Sequence, residues 1–147
     1  MINSIKNKDT VKINMFGKEK DVKVLCTGDN KFDDNGYYKK DGFELTQEEL
    51  NLLNWFLENV KIEDYKEQIK DYCNMSYEMW SDTTIALDDV ENEINITSIA
   101  INVTKKKYDN YPDISFYGDC KCDPEHGICI GFRNKKFLGI ESQDWTL

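Results

Sequence analysis

The 147-residue chain has the length of one domain, and its 28 acidic against 19 basic side chains give a formal charge of -9. That balance argues against nucleic acid, because neutralising phosphates takes clustered Lys and Arg, and it suits a basic protein partner. The aromatic share of 12% supplies burial that disordered chains lack, so the expectation is one folded domain over residues 1–147.

The start, Met1-Ile2-Asn3-Ser4-Ile5-Lys6, lacks the apolar stretch of a signal peptide, and no apolar run approaches a membrane span. The five cysteines form an odd count without a secreted-scaffold pattern, which points to reduced thiols in a cytosol.

Along the chain, Val11, Ile13 and Met15 alternate with polar residues, as do Val22, Val24 and Cys26. The pair reads as a hairpin joined through Gly17-Lys18-Glu19-Lys20. Thr27 to Gly42 is a surface loop carrying Tyr37-Tyr38, with room for a short strand. Thr46-Gln47-Glu48-Glu49 is a capping box: the Thr hydroxyl bonds the N–H three residues on, and Glu49 reaches back. Leu50, Leu53, Leu57 and Val60 then form a helical stripe widened by Leu52, Trp55 and Phe56. A second helix is expected from about Ile62 to about Met79, with Ile62, Tyr65, Ile69, Tyr72, Cys73 and Trp80 on one face.

After Glu93 the pattern returns to strand. Ile99, Ile101 and Val103 alternate with smaller or polar residues; then come Ile114 to Cys120, Gly127 to Phe132, a turn at Asn134-Lys135, and Phe137 to Ile140. The fold class that follows is α+β: an antiparallel sheet, made of an N-terminal hairpin and a C-terminal meander, packed against two helices. The basic run Lys105-Lys106-Lys107 reads as solvated loop, as do the acidic clusters Asp33-Asp34 and Asp88-Asp89, which lack calcium-loop spacing. Trp55, Trp80 and Trp145 are expected in core and edge packing.

No motif names a reaction. The single histidine, His126, must centre any His-dependent mechanism, and no Gly-x-Ser-x-Gly elbow accompanies it. Cysteine catalysis is disfavoured because the surrounding Asp and Glu raise thiol pKa values. Cys120-x-Cys122-x3-His126-x2-Cys129 offers zinc-type ligands, although without paired C-x2-C knuckles. Cys120 and Cys122 share a strand face with Ile114 and Phe116, and Cys129 points the other way, so buried free thiols are the expectation. In Asp123-Pro124-Glu125-His126-Gly127, Pro124 fits the first central turn position, Asp123 can bond N–H groups onward, and Gly127 accepts positive φ. Functionally, Glu125 and His126 offer an acid–base pair or a docking knob.

The segment Tyr117 to Ile128 resembles a Trp-Asp-x-Glu-His-Gly turn in an uncharacterised bacterial family of small domains. Thr46-Gln47-Glu48-Glu49-Leu50 and Trp55-Phe56-Leu57-Glu58-Asn59 are similar to a helix of the same family. The resemblance spans about Gly42 to Leu147, with Cys122 standing where the family has Trp. It implies an α+β domain with Asp123, Glu125, His126 and Gly127 in a C-terminal hairpin, no established activity, and a likeness in size and charge to immunity proteins. The cysteines are not part of that pattern.

The expectation is therefore a non-enzymatic cytosolic binding protein without cofactor, antagonising a basic toxin domain through an acidic surface, with Tyr117, Asp123, Glu125 and His126 as binding residues. The alternative is a small hydrolase or metal-dependent enzyme centred on Glu125 and His126.

Overall fold

The computed structural model describes residues 1–105 and 110–146. Most of the run Lys105-Lys106-Lys107 lies outside the described residues. Six strands form one sheet in sequence order: β1 (Thr10–Met15), β2 (Lys18–Cys26), β3 (Ile94–Ile101), β4 (Ile114–Cys120), β5 (Ile128–Arg133) and β6 (Lys136–Glu141). Helices α1 (Gln47–Asn59) and α2 (Lys66–Tyr77) and the short α3 (Val90–Glu93) lie between β2 and β3. The fold is α+β, with the expected hairpin and meander.

One pair departs from the antiparallel expectation: β2 runs parallel to β3, Val24 opposite Ile99. The helices account for it. A chain that leaves one strand and returns beside it in the same direction needs a long crossover, and α1 and α2 are that crossover. The hairpin turns also follow local chemistry. Phe16 and Gly17 take φ of 53° and 79°, and Asn134 and Lys135 take 50° and 64°. Positive φ at both central residues matches the right-handed twist of the flanking strands. β2 accordingly begins at Lys18, inside the stretch expected to be loop.

The capping box is present as the sequence dictates. Glu49 N–H donates to Thr46 Oγ1 at 3.2 Å, and Thr46 N–H donates to Glu49 Oε1 at 2.8 Å. Glu49 is itself fully buried, because Asn30 donates to Oε1 and the Cys26 thiol to Oε2, each at 2.8 Å. Burial, then the neighbouring Glu49, push the Cys26 thiol up to about 12.

From this anchor α1 lays Leu50, Leu53 and Phe56 onto the sheet, and the Phe56 ring meets Phe116 of β4 at 4.7 Å and Phe132 of β5 at 5.4 Å. The second helix is shorter than its periodicity suggests: Ile62–Tyr65 forms a 3-10 turn and α2 ends at Tyr77. Ile69 and Cys73 are fully buried, whereas Trp80, past the helix end, is 59% exposed rather than packed.

In β3 the apolar phase slips. Ile94 and Ile96 face the core, then Ile99 and Ile101 do, because the β3–β4 register shifts between Ile96 and Ser98. This bulge sits opposite Gly118, where an added Cβ would lie 2.2 Å from the Asn95 carbonyl oxygen. The opposite face of the sheet is covered from the C-terminus. Trp145 lies over the paired Gly131 and Gly139, and its indole N–H donates to the Asn110 carbonyl at 2.8 Å.

These contacts set two expectations for urea denaturation. Thr46→Ala should lower stability by about 1 kcal/mol through loss of the cap. Gly118→Ala should cost about 1–3 kcal/mol, because backbone rather than a flexible side chain meets the new methyl. An unchanged midpoint for the second variant would contradict the tight β3–β4 approach.

Candidate functional site

The turn after β4 is built as its residues dictate. Gly127 N–H donates to the Asp123 carbonyl at 2.9 Å, and Gly127 takes φ of 64°. The Asp123 carboxylate accepts from the His126 backbone N–H at 3.3 Å and from the His126 ring Nδ1 at 2.9 Å. The carboxylate that orients the imidazole is thus Asp123, while Glu125 stands exposed beside it. The C-terminal segment closes the other side, with Gln143 N–H on the His126 carbonyl at 2.8 Å and the Gln143 side chain on the Gly118 carbonyl. Tyr117 lies on β4 opposite Cys129 of β5, half-buried, and burial, then the neighbouring Cys129, raise its phenol.

The Asp123–His126 pair is an oriented imidazole on a half-exposed turn. Among the described residues no hydroxyl or thiol hydrogen-bonds the ring, so it has an orienting carboxylate but no nucleophile to activate.

Two side chains tie this turn to the end of α2. Trp80 Nε1–H donates to the Cys122 carbonyl at 2.8 Å and the Ser76 hydroxyl donates to the same oxygen at 3.0 Å. The Trp80 ring rests 5.4 Å from Tyr77 and leaves its other surface to solvent. Met75 and Met79, one helical turn apart, are 61% and 85% exposed. No Lys or Arg occurs between Lys70 and Lys105, and Glu78, Asp82, Asp88 and Asp89 are exposed within that stretch. Exposed apolar side chains and exposed acidic ones thus share this stretch of chain, with exposed Lys121 next to the Cys122 that holds Trp80.

Behind the turn lies a buried cluster. The Cys122 and Cys120 sulfurs are 3.4 Å apart, and the Cys73 Sγ, the Cys122 Sγ and a Glu93 carboxylate oxygen all lie within 4.8 Å of one another. Thiols of Cys120 and Cys73 both donate to Cys122 and hold it below the usual thiol range; the same sharing, with burial, pushes Cys73 and Cys120 up. Burial also raises Glu93, whose Oε1 accepts from the Tyr77 hydroxyl.

A family model described as a domain of unknown function, DUF6985, matches residues 2–147. The chain belongs to this family. No curated protein and no solved structure matches it.

Within this DUF6985 chain the residues singled out from sequence divide into separate places. Cys120 and Cys122 do meet, but His126 is turned to solvent on Asp123 and does not join them. Cys129 is fully buried on the other sheet face, near Ser115, where burial pushes its thiol up to about 12. Cys73 and Glu93 take the places that His126 and Cys129 were considered for. Nothing local in the sequence marks them, since both reach the cluster only through the packing of α2 and α3. Trp80 was missed for a different reason: its spacing continues the buried stripe of α2, yet the helix stops before it.

The single histidine makes the turn easy to test. The side-chain hydrogen bond from Asp123, then its charge, raise His126 above its ordinary 6.5. A raised folded-state pKa contributes stability that is complete below the unfolded value and is lost as pH rises through the folded pKa. Proton NMR should therefore show the imidazole titrating above 6.5, and Asp123→Asn should move it back down. A titration indifferent to Asp123→Asn would show that the pair does not form in solution.

Proposed function

We propose that this domain is a non-enzymatic binding protein of the bacterial cytosol, an immunity-type antagonist that blocks a basic partner. The observation that carries the reading is the exposed apolar patch of Met75, Met79 and Trp80, set in a stretch of chain without positive charge. Exposed Trp and Met inside a polar border are typical of interface anchors, where a few residues supply most of the binding energy. A soluble domain gains nothing from leaving a tryptophan and two methionines in water, whereas a partner that covers them gains burial. The exposed acidic side chains of that stretch select a basic surface and speed its approach. Asp123, Glu125 and His126 belong to the rim of this surface, because Trp80 is fixed to the carbonyl just before Asp123. Tyr117 lies on the far sheet face, opposite Cys129. Steric and electrostatic cover of an active site needs no chemistry from the blocker, in keeping with an imidazole that has no nucleophile beside it. No helix of the described residues is long and apolar enough to cross a membrane, which suits a partner met in solution.

Affinity capture with the full chain should return a basic enzyme whose activity the chain abolishes at equal stoichiometry. Trp80→Ala should weaken that complex by about 2 kcal/mol or more, roughly 30-fold. Tyr37→Ala with Tyr38→Ala, on a separate exposed loop, should leave it unchanged. Retention by the Trp80 variant and loss by the tyrosine variant would move the docking surface and defeat the proposal. Substrate turnover lost in His126→Ala would establish the hydrolase reading instead.

A further inference from the structure

We propose that Cys73, Cys120, Cys122 and Glu93 form a buried binding site for a thiophilic divalent cation, zinc in the first instance. Four elements deliver the donors: α2 brings Cys73, the end of α3 brings Glu93, the end of β4 brings Cys120, and the following turn brings Cys122. Three sulfurs and one carboxylate are a donor set that suits zinc and excludes hard cations such as magnesium or calcium.

The distances fit. Two thiolates on one tetrahedral zinc stand about 3.8 Å apart, from Zn–S bonds of about 2.3 Å. Cys120 and Cys122 are at 3.4 Å, and the donor atoms of Cys73, Cys122 and Glu93 stay inside 4.8 Å of one another, so three donors already surround one point and Cys120, in contact with Cys122, completes the set by turning its side chain toward the ion.

Another buried carboxylate, Glu49, shows by contrast why simple packing is a poor account of this cluster. Glu49 is satisfied in full by a backbone N–H, an amide and a thiol, and its burial follows from capping α1. Glu93 caps nothing. Among the described residues its carboxylate has one hydrogen bond, from the Tyr77 hydroxyl, and no ion pair, the exposed Lys121 acting on it only at longer range, while it faces sulfur. A carboxylate placed so is costly to bury unless a cation joins it. Tyr77 then has the role of an outer partner that orients a metal-binding carboxylate. A cavity of about 370 Å³ bordered by Asn92, Glu93, Asp119, Cys120, Lys121 and Pro124 gives an ion a way in from solvent.

This inference is independent of the docking surface, although the bound ion would brace the Cys122 carbonyl that holds Trp80. The test uses reduced full-length protein, with elemental analysis for zinc and titration of the metal-free form with cobalt(II). One zinc per chain and an intense sulfur-to-cobalt charge-transfer band are expected. The band should vanish in Cys73→Ser and Cys122→Ser and persist in Cys26→Ser, Cys129→Ser and His126→Ala. Tyr77→Phe should keep the band and weaken zinc binding by about 10–100-fold. Wild-type protein with native near-ultraviolet dichroism but no zinc and no cobalt–sulfur band would overturn the proposal, whatever the variants do. So would a band retained in Cys122→Ser, or a metal-free wild type that carries a Cys120–Cys122 disulfide under reducing conditions.

Discussion

The parallel pairing of β2 with β3 constrains everything else in this fold. Parallel neighbours cannot be joined by a tight turn, so the chain between them must cross one face of the sheet. It does so as α1 and α2, and that one crossing decides which face becomes the core. Phe56 then stacks among Phe116 and Phe132, and α2 is led to the edge where β4 ends. Cys73 and Trp80 reach the turn after β4 only because of this path. The surface proposed for partner binding and the sulfur cluster beneath it are both consequences of it.

Two of the buried carboxylates, Glu49 and Glu93, show how similar burial serves different ends. Glu49 closes a helix start and is satisfied by groups from three neighbouring segments, which also ties the Asn30 loop to α1. Such an arrangement is structural, since removing any partner leaves a carboxylate oxygen without its hydrogen bond in the core. Glu93 sits among sulfurs and a phenol, with the Lys121 charge acting on it only at longer range. The difference between a stabilising carboxylate and a ligand lies in what surrounds it, not in how deeply it is buried.

Much of this was legible residue by residue. The capping box, the alternation in β1 and β2, the Asn134-Lys135 turn and the Asp123–Gly127 turn each depend on neighbours within a few positions, where backbone sterics and local hydrogen bonds decide. The first part of β3, Ile94 and Ile96, and the slip of phase before Ile99 lay outside the expected strand, because a bulge breaks the alternation on which that reading depends. The candidate sites were less accessible. His126 and Cys120, close in sequence, end on opposite sides of a turn, and Cys129 is carried to the other sheet face by one residue of alternation.

The sequence by itself determined the α+β class, the start of α1, the Asn134-Lys135 and Asp123–Gly127 turns, and the acidic charge, because these rest on composition and short-range geometry. Only the tertiary structure decided that β2 and β3 are parallel, that Trp80 is left in water, and that Cys73 and Glu93 stand beside Cys122. Those outcomes depend on how a crossover packs on a sheet, and contacts between residues far apart in the chain leave no periodicity to read.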